Sequence, residues 1–166
     1  ITASFAAQQT YKSNKPSYVR LDKGIFQELY KKNDDFDKGY KVISNSFKQT
    51  IISTGYMTHK AIKIAETLQK AGKDIGVVDV FRLKPFDDKI VYKIFKNLKE
   101  LIVLEENSLM GGLGDILEEV ISEKNLNIKL HKVTLENRQD LIYGSREYLQ
   151  GLHFKNLEKK IETYLS

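Results

Sequence analysis

Apolar and polar positions follow two recurring patterns along most of this 166-residue chain. Short runs rich in Val and Ile, such as 49–55 and 74–81, are each followed by a longer stretch with apolar side chains every three or four residues. The first pattern is typical of buried strands, the second of amphipathic helices. Right-handed crossovers between such elements produce a mainly parallel sheet with helices on both faces. The sequence therefore predicts an α/β fold, a three-layer αβα domain from about residue 40 to the end.

The order of the elements follows from the same pattern. Strands are predicted at 40–45, 49–55, 74–81, 100–106 and 127–135. Helices are predicted at 59–72, 87–98 and 112–125, with a last helical stripe at Leu157, Ile161, Tyr164 and Leu165. Thr58 is a natural N-cap for the first helix, and Gly72 is a typical C-terminal stop. The alternation of the last strand slips at His131 and Lys132, which indicates an edge strand or a β-bulge.

The first part of the chain departs from this alternation. Residues 2–11 contain several apolar side chains and no helix breaker, which suits the end of a helix. Asn14 and Pro16 then stop the helix, and the apolar positions in 18–21 favour a strand. Residues 22–39 are mostly charged, with glycine near each end, and predict a linker.

Composition excludes several classes of protein. The chain has no cysteine, which rules out disulfides, thiolate metal sites and a cysteine nucleophile, and favours a reducing compartment. No run approaches the ~20 apolar residues of a membrane span, and the start does not resemble a signal peptide. The net charge of +5 is spread among acidic residues without a basic block. We therefore expect a cytoplasmic protein that binds neither nucleic acid nor membrane, and the start at Ile1 indicates a processed chain or part of a longer one.

A glycine-rich turn lies between the strand at 100–106 and the helix that follows it. Free N–H groups at a helix N-terminus attract anions, so phosphate binding is one interpretation of Gly111, Gly112 and Gly114. Their spacing fits neither the dinucleotide fingerprint nor a Walker loop, and Asp115 would repel a phosphate. We therefore interpret the three glycines as a tight structural turn.

Two glutamates precede this turn. Glu105 and Glu106 are consecutive, so on a strand they face opposite sides and cannot act as a carboxylate pair on one substrate. One is expected to face the end of the sheet and the other to face solvent. Glu105 is the candidate hydrogen-bond partner of the glycine turn, in preference to a general acid or base.

The residue types that usually carry catalysis form no recognisable set. The chain has three histidines, whose spacing matches no common metal motif: His59, His131 and His153. Three serines are candidate nucleophiles but lack the G-x-S-x-G elbow: Ser53, Ser108 and Ser145. The sequence thus predicts no catalytic residue and no metal ligand in this chain.

Several motifs in one order nevertheless resemble the end of a thiamine diphosphate enzyme of the transketolase class. They are KPSYVRLDKG at 15–24, QTIISTG with the following helix and GVVDVFRLKPFDD up to residue 88, LIVLEENSLMGGLGDILEEV at 101–120, and GSREYLQGL at 144–152. Together they cover nearly the whole chain.

This resemblance implies a domain organisation. Residues 1–24 would be the end of a pyrimidine-binding domain, 25–39 a linker, and 40–166 the transketolase C-terminal domain. Thiamine diphosphate and Mg²⁺ would be held in the complete enzyme and not by this chain alone. The partners implied are the remaining domains or subunit of the same enzyme, in a homodimer. The role implied for this chain is assembly and support of that dimer.

The resemblance also assigns roles to particular residues. Arg20 matches an arginine that contacts the substrate's phosphate in transketolases, a contact suited to a planar fork of donors. The alternative is an arginine that ends a strand and pairs with Asp22 or a linker acid. In RLKPFDD, Pro85 fixes the backbone and Asp87 can cap the following helix, so both are interpreted as structural.

Three identities for the complete protein stay open. The preferred one is a transketolase-type transferase of two-carbon units between sugar phosphates, with 1-deoxy-D-xylulose-5-phosphate synthase and a 2-oxoacid dehydrogenase component as alternatives. A stand-alone interaction domain of the same fold is an alternative of another class. A nucleotide-binding α/β domain that uses the turn at 111–114 is a further one.

Overall fold

The computed structural model of the chain describes residues 2–46, 48–87, 89 and 94–165. The chain divides into two compact units, one ending at Lys38 and the other starting at Gly39. Of the twelve residues of the helix predicted at 87–98, five lie outside the described ones, residues 88 and 90–93, with Ile90 and Val91 of its apolar stripe among them.

The first unit contains one helix and a long irregular segment. Helix α1 spans Thr2–Lys12. The ring of Phe5 on this helix stacks on Phe36, with 4.6 Å between centroids. The strand predicted at 18–21 is wrong for the described structure, where this segment joins no sheet. A strand needs hydrogen bonds to a neighbouring strand, and all strands of the described sheet lie in the second unit.

The second unit is built on a five-stranded sheet of the described residues. Its strands are β1 Tyr40–Ser44, β2 Gln49–Ser53, β3 Gly76–Val80, β4 Glu100–Leu104 and β5 Lys129–Val133. They lie in the order β1-β3-β2-β4-β5, with β1 antiparallel to β3 and the other pairs parallel. This confirms the predicted mainly parallel α/β sheet.

The slipped alternation at His131 and Lys132 predicted that β5 is an edge strand or contains a β-bulge. Strand β5 is an edge strand, as predicted, and its register against β4 runs without a break from Lys129 to Val133. The register shift lies at the opposite edge, between Val42 and Ser44 of β1.

Helices cover both faces of the sheet. The helices of the second unit with described bounds are α2 Tyr56–Lys70, α3 Leu113–Glu123, α4 Arg146–His153 and α5 Leu157–Tyr164. None of the described helices combines the length and the apolar character that crossing a membrane requires.

Two apolar clusters are separated by the sheet. Successive strand residues point to opposite faces, so Ile51 packs into one cluster and Ile52 into the other. The first cluster includes residues of α2 and α5, and the second includes residues of α3 together with Phe95. Full burial of a side chain of this size contributes about 1.5–3 kcal/mol, so these clusters hold the three layers together.

The two ends of α2 differ in how well the sequence predicts them. The stop at Gly72 is confirmed: its φ is 82°, its N–H donates to Gln69 O (3.0 Å), and Lys73 N–H donates to Leu68 O (3.0 Å). The cap at Thr58 is wrong, because the N-cap position is Gly55.

Thr58 has a buried role inside the helix instead. Its hydroxyl donates to Asp79 Oδ1 (2.5 Å) and accepts a hydrogen bond from Ser53 Oγ (3.0 Å). Asp79 is a buried carboxylate on β3, and a buried charge requires donors. The need of Asp79 for a partner therefore explains why a threonine lies at this position of α2.

Candidate functional site

The carboxyl ends of the parallel strands gather most of the polar side chains considered above. The chain segments that leave β2, β4 and β5 therefore lie at the same end of the sheet, which is where ligands bind in open α/β sheets. The residues there are best described as three groups: the glycine turn with Glu105, a cluster around Arg146, and the connection from β5 to α4.

Glu105 closes the N-terminus of α3. Its buried carboxylate accepts hydrogen bonds from Leu113 N–H (2.8 Å, Oε2) and Gly114 N–H (2.9 Å, Oε1). Gly112 is the N-cap and has no side-chain cap of its own. A Cβ at Gly112 would lie 2.3 Å from Glu105 Oε2, so this position has room only for glycine. The N–H groups that a phosphate would use are therefore engaged by a carboxylate of the chain itself.

A second carboxylate supports the same turn from outside. Gly111 has a φ of 81°, and its N–H donates to Asp115 Oδ2 (2.5 Å). The Lys132 ammonium donates to Asp115 Oδ1 (2.7 Å) and also to Glu118. The Lys132 bond, followed by the Gly111 N–H, holds the pKa of Asp115 below its usual value. The turn is thus fixed by partners from both its inner and its outer side.

The slip in the apolar alternation of β5 is explained by the same contact. Burial acts to lower the pKa of Lys132, but its bonds to Asp115 and Glu118 outweigh burial and raise it. The stem of Lys132 lies against Gly114, where a Cβ would be 3.0 Å from Lys132 Cδ. A lysine at this strand position is therefore required by α3.

Glu106 is partly exposed and is paired with side chains of α4, whereas the sequence predicted only that one of the two glutamates faces solvent. Arg146 Nε donates to Glu106 Oε2 (3.0 Å) and Oε1 (3.3 Å), and Arg146 Nη2 also contacts this carboxylate. Gln150 Nε2 donates to Glu106 Oε1 (2.8 Å). Because β4 ends at Leu104, Glu106 is no longer subject to strand alternation, and α4 supplies its partners.

An aromatic ring and a second cation complete what we call the Arg146 cluster: Tyr56, Lys60, Glu106, Arg146 and Gln150. The Arg146 guanidinium carbon lies 4.2 Å from the Tyr56 ring centroid, and Lys60 Nζ lies 5.8 Å from it. Burial lowers the pKa of Lys60, opposed in part by Glu106 and Glu147. The cluster ties the start of α2, the end of β4 and α4 together. The sequence analysis missed it, although Arg146 and Gln150 share a helix face at i, i+4 spacing.

The histidines bind neighbouring groups of the chain. His131 Nε2 lies 2.6 Å from Glu100 Oε2, and its ring stacks on Tyr164 at 4.1 Å. His153 lies between Asp140 and the backbone of Glu136. Burial lowers the pKa of His59, with a further contribution from Lys63.

The three serines act as ordinary hydrogen-bonding groups. Ser145 caps α4 and accepts a bond from Tyr148 N–H (3.2 Å), and Ser108 donates to Met110 O (2.9 Å). Ser53 donates to Thr58, as described for α2.

Arg20 and Asp87 lie apart from these three groups in the chain. Arg20 belongs to the first unit, in the irregular segment, with an exposed side chain. Asp87 Oδ1 accepts a bond from Lys89 N–H (3.0 Å), but five residues of the helix that it would cap, 88 and 90–93, lie outside the described ones. Both roles stay predictions.

The fit to thiamine diphosphate and Mg²⁺ can be judged from the donors present. Within residues 2–46, 48–87, 89 and 94–165, no three His, Asp or Glu side chains gather closely enough to hold a metal ion. At the glycine turn, Glu105 engages the N–H groups that a diphosphate would need. The described residues therefore do not fit this cofactor, and we derive no catalytic step through it.

Comparison with known proteins gives a consistent result. The family described as "Transketolase, C-terminal domain" matches residues 40–150. The chain is 34% identical over 116 residues to 1-deoxy-D-xylulose-5-phosphate synthase of Clostridium tetani, which is 69% of this chain and 19% of that protein. It is 25% identical over 152 residues to one of the subunits of an apulose-4-phosphate transketolase from Actinobacillus succinogenes, 91% of this chain and 49% of that protein.

A solved structure agrees with these sequence relatives. The fold matches a split gene transketolase, determined as an inactive beta4 tetramer, with a TM-score of 0.80 and 27% identity, covering 95% of this chain and 52% of that one. The chain thus spans about half, or less, of the length of these proteins.

Proposed function

Because the chain belongs to the transketolase C-terminal domain family, we propose that it is the C-terminal portion of a thiamine diphosphate-dependent transferase that moves a two-carbon unit between sugar phosphates. The observation that carries this proposal is the similarity to separately encoded transketolase subunits over 91% and 95% of the chain. In this proposal, a second polypeptide or segment supplies the cofactor site. The proposal includes a cytoplasmic location.

In this proposal the chain supports assembly and dimerisation and is inactive alone. Glu105 and Glu106, which directly follow β4 at the expected ligand-binding end of the sheet, are engaged by the chain's own N–H, guanidinium and amide donors. Bound in this way, these two carboxylates hold the end of the sheet in place and are not free to transfer a proton. In the complete enzyme, the remaining domains or subunit would hold thiamine diphosphate and Mg²⁺, and thiamine diphosphate would supply the carbanion chemistry of two-carbon transfer.

Arg20 is the proposed contact of this chain with substrate. An exposed guanidinium on an irregular segment can offer two parallel N–H donors to a phosphate. In the complete enzyme, Arg20→Ala is expected to raise KM for a phosphorylated substrate much more than for its unphosphorylated analogue. Equal effects on the two substrates would remove this role, since a structural arginine does not distinguish them.

A second candidate is the C-terminal portion of a 1-deoxy-D-xylulose-5-phosphate synthase, favoured by the 34% identity to the Clostridium tetani protein. The two candidates differ in the donor, which is a ketose phosphate for the transferase and an oxoacid for the synthase. Assay of the complete enzyme with each donor and a common aldehyde acceptor separates them.

The test of the proposal is purification of the native assembly, followed by mass measurement and an activity assay. The chain is purified gently from its source with whatever remains attached, weighed by native mass spectrometry, and assayed for two-carbon transfer. A heavier dimeric assembly that carries thiamine diphosphate and magnesium, and that transfers the two-carbon unit, is expected. A lone chain without cofactor or partner contradicts the proposal and favours a stand-alone interaction domain.

A further inference from the structure

One imidazole attaches two points of the connection from β5 to α4, residues 134–145, to α4. His153, in the last turn of α4, accepts a hydrogen bond at Nδ1 from the backbone N–H of Glu136 (3.1 Å). Its Nε2 lies 2.6 Å from Asp140 Oδ2. The His153 side chain is only 9% exposed. Both ring nitrogens are therefore used, and they attach two separate points of the connection to one helix.

These contacts determine the protonation state of the ring. A backbone N–H can only donate, so the Nδ1 atom of His153 must carry a lone pair. Asp140 as a carboxylate can only accept, so Nε2 must carry the proton. The anchor thus requires a neutral imidazole in the Nε2–H tautomer.

Adding a proton to this ring affects its two bonds in opposite ways. A proton on Nδ1 removes the acceptor and sets two N–H groups against each other, so the bond to Glu136 is lost. The bond to Asp140 becomes an ion pair and is strengthened. Among side chains, histidine is the one whose unperturbed charge change falls between pH 5 and 8.

The charged groups around His153 keep the Asp140 attachment in place. Asp140 Oδ1 also accepts from Arg138 Nε (3.2 Å), and Arg138 Nη1 lies 3.3 Å from Glu136 Oε2. Arg138 Nη2 donates to Leu152 O at 3.5 Å, next to His153 on α4. Asp140, Arg138 and Glu136 are the charged groups shown to face this site. Protonation therefore frees the Glu136 end while the Asp140 end stays bound.

We propose that His153 is a proton-sensitive latch that holds the β5–α4 connection at two points when neutral and at one point when protonated. The connection carries exposed apolar side chains, with Leu141 85% and Tyr143 100% exposed. Release at Glu136 loosens the segment that presents them.

His131 provides a matched control within the same sheet. Among the described residues its recorded polar contact is through Nε2, to Glu100, and its ring stacks on Tyr164. Protonation of His131 removes no acceptor used by the backbone. Its titration should leave the β5–α4 connection unchanged.

The test is hydrogen exchange followed by mass spectrometry on the complete protein at pH 7.5 and pH 5.5, with rates corrected for intrinsic chemistry. A peptide that reports on residues 135–140 is expected to lose about tenfold in protection at the lower pH, the effect of one lost hydrogen bond. In His153→Asn the side-chain oxygen takes the place of Nδ1 and does not titrate, so protection should be equal at the two pH values. His131→Asn should keep the wild-type response.

Two results would overturn the proposal. One is the same pH response in His153→Asn as in the wild type, and the other is no response in the wild type. A direct measurement is also decisive: ¹⁵N-histidine spectra at pH 7.5 should show His153 with a bare Nδ1 and a protonated Nε2. The opposite tautomer contradicts the latch even if a variant fails to fold.

Discussion

Glu105 and Glu106 are neighbours with the same charge, yet the structure uses them in different ways. Glu105 is buried, 2% exposed, and accepts from two backbone N–H groups whose positions are fixed by α3. Glu106 is partly exposed and binds the movable side chains of Arg146 and Gln150. Backbone donors cannot turn away when their acceptor is removed, whereas side chains can. The loss of stability on removing a carboxylate therefore depends on whether its donors can turn towards water.

The largest effect should come from removing the inner carboxylate. Glu105→Ala leaves the N–H groups of Leu113 and Gly114 buried without an acceptor, and each such group costs about 1–3 kcal/mol. We expect the free energy of unfolding to fall by about 3 kcal/mol, measured by urea denaturation. A loss below about 1 kcal/mol would mean that water satisfies these donors.

A similar loss should follow from adding one methyl group at the N-cap. In Gly112→Ala the new Cβ would lie 2.3 Å from Glu105 Oε2, so the carboxylate must leave its donors. We expect destabilisation by about 2 kcal/mol in the same urea experiment. Gly151→Ala in α4 is the matched control, because a Cβ there meets nothing within 4 Å. The control should be neutral or stabilised by up to about 1 kcal/mol.

The outer glutamate should be less sensitive. Arg146→Ala leaves Glu106 with the Gln150 amide and access to water, since the Glu106 side chain is 23% exposed. We expect a loss of about 1 kcal/mol, reduced further at high salt. If Arg146→Ala destabilises the protein more than Glu105→Ala does, the distinction between fixed and movable partners fails.

A third carboxylate extends the comparison to pH. Bonds from Lys132 and Gly111 N–H lower the pKa of Asp115 from its ordinary 3.8. A carboxylate with a lowered folded-state pKa stabilises the protein above the unfolded pKa, and this contribution disappears as pH falls through the folded value. The melting temperature of Asp115→Asn should therefore lie below that of the wild type at pH 7, with the gap closing below about pH 4. The corresponding change at Glu119, exposed on the same helix, should give no such convergence.

Much of the second unit could be predicted because its pattern is local. The short apolar runs became β1 to β5 and the stop at Gly72 was correct, since burial and positive φ leave direct traces in the sequence. Ile51 and Ile52 of β2 then pack into different clusters, as the alternation of side chains along a strand requires. The glycine turn was located, and Glu105 was identified as its candidate partner.

The errors all involve partners distant in sequence. One of the two glutamates was expected in solvent, but Glu106 is paired, because the position of α4 brings Arg146 to it from forty residues away. Thr58 was expected to cap α2, because its partner, the buried Asp79 on β3, lies 21 residues away in the sequence. Residues 18–21 have strand-like side chains but no neighbouring strand in the described sheet. Local pattern shows what a segment prefers, and only the fold shows what it meets.

The contact of Glu105 with the N-terminus of α3 also predicts that a small anion can replace the missing side chain in a variant. The acceptor at this helix end is the side-chain carboxylate of Glu105. Glu105→Ala should therefore leave a cavity that favours an anion, because two unpaired N–H donors at the N-terminus of α3 face it. Free acetate or formate in the buffer should then bind there and restore part of the lost stability, while chloride at the same ionic strength should restore less. The turn that normally excludes small anions would become a receptor for them.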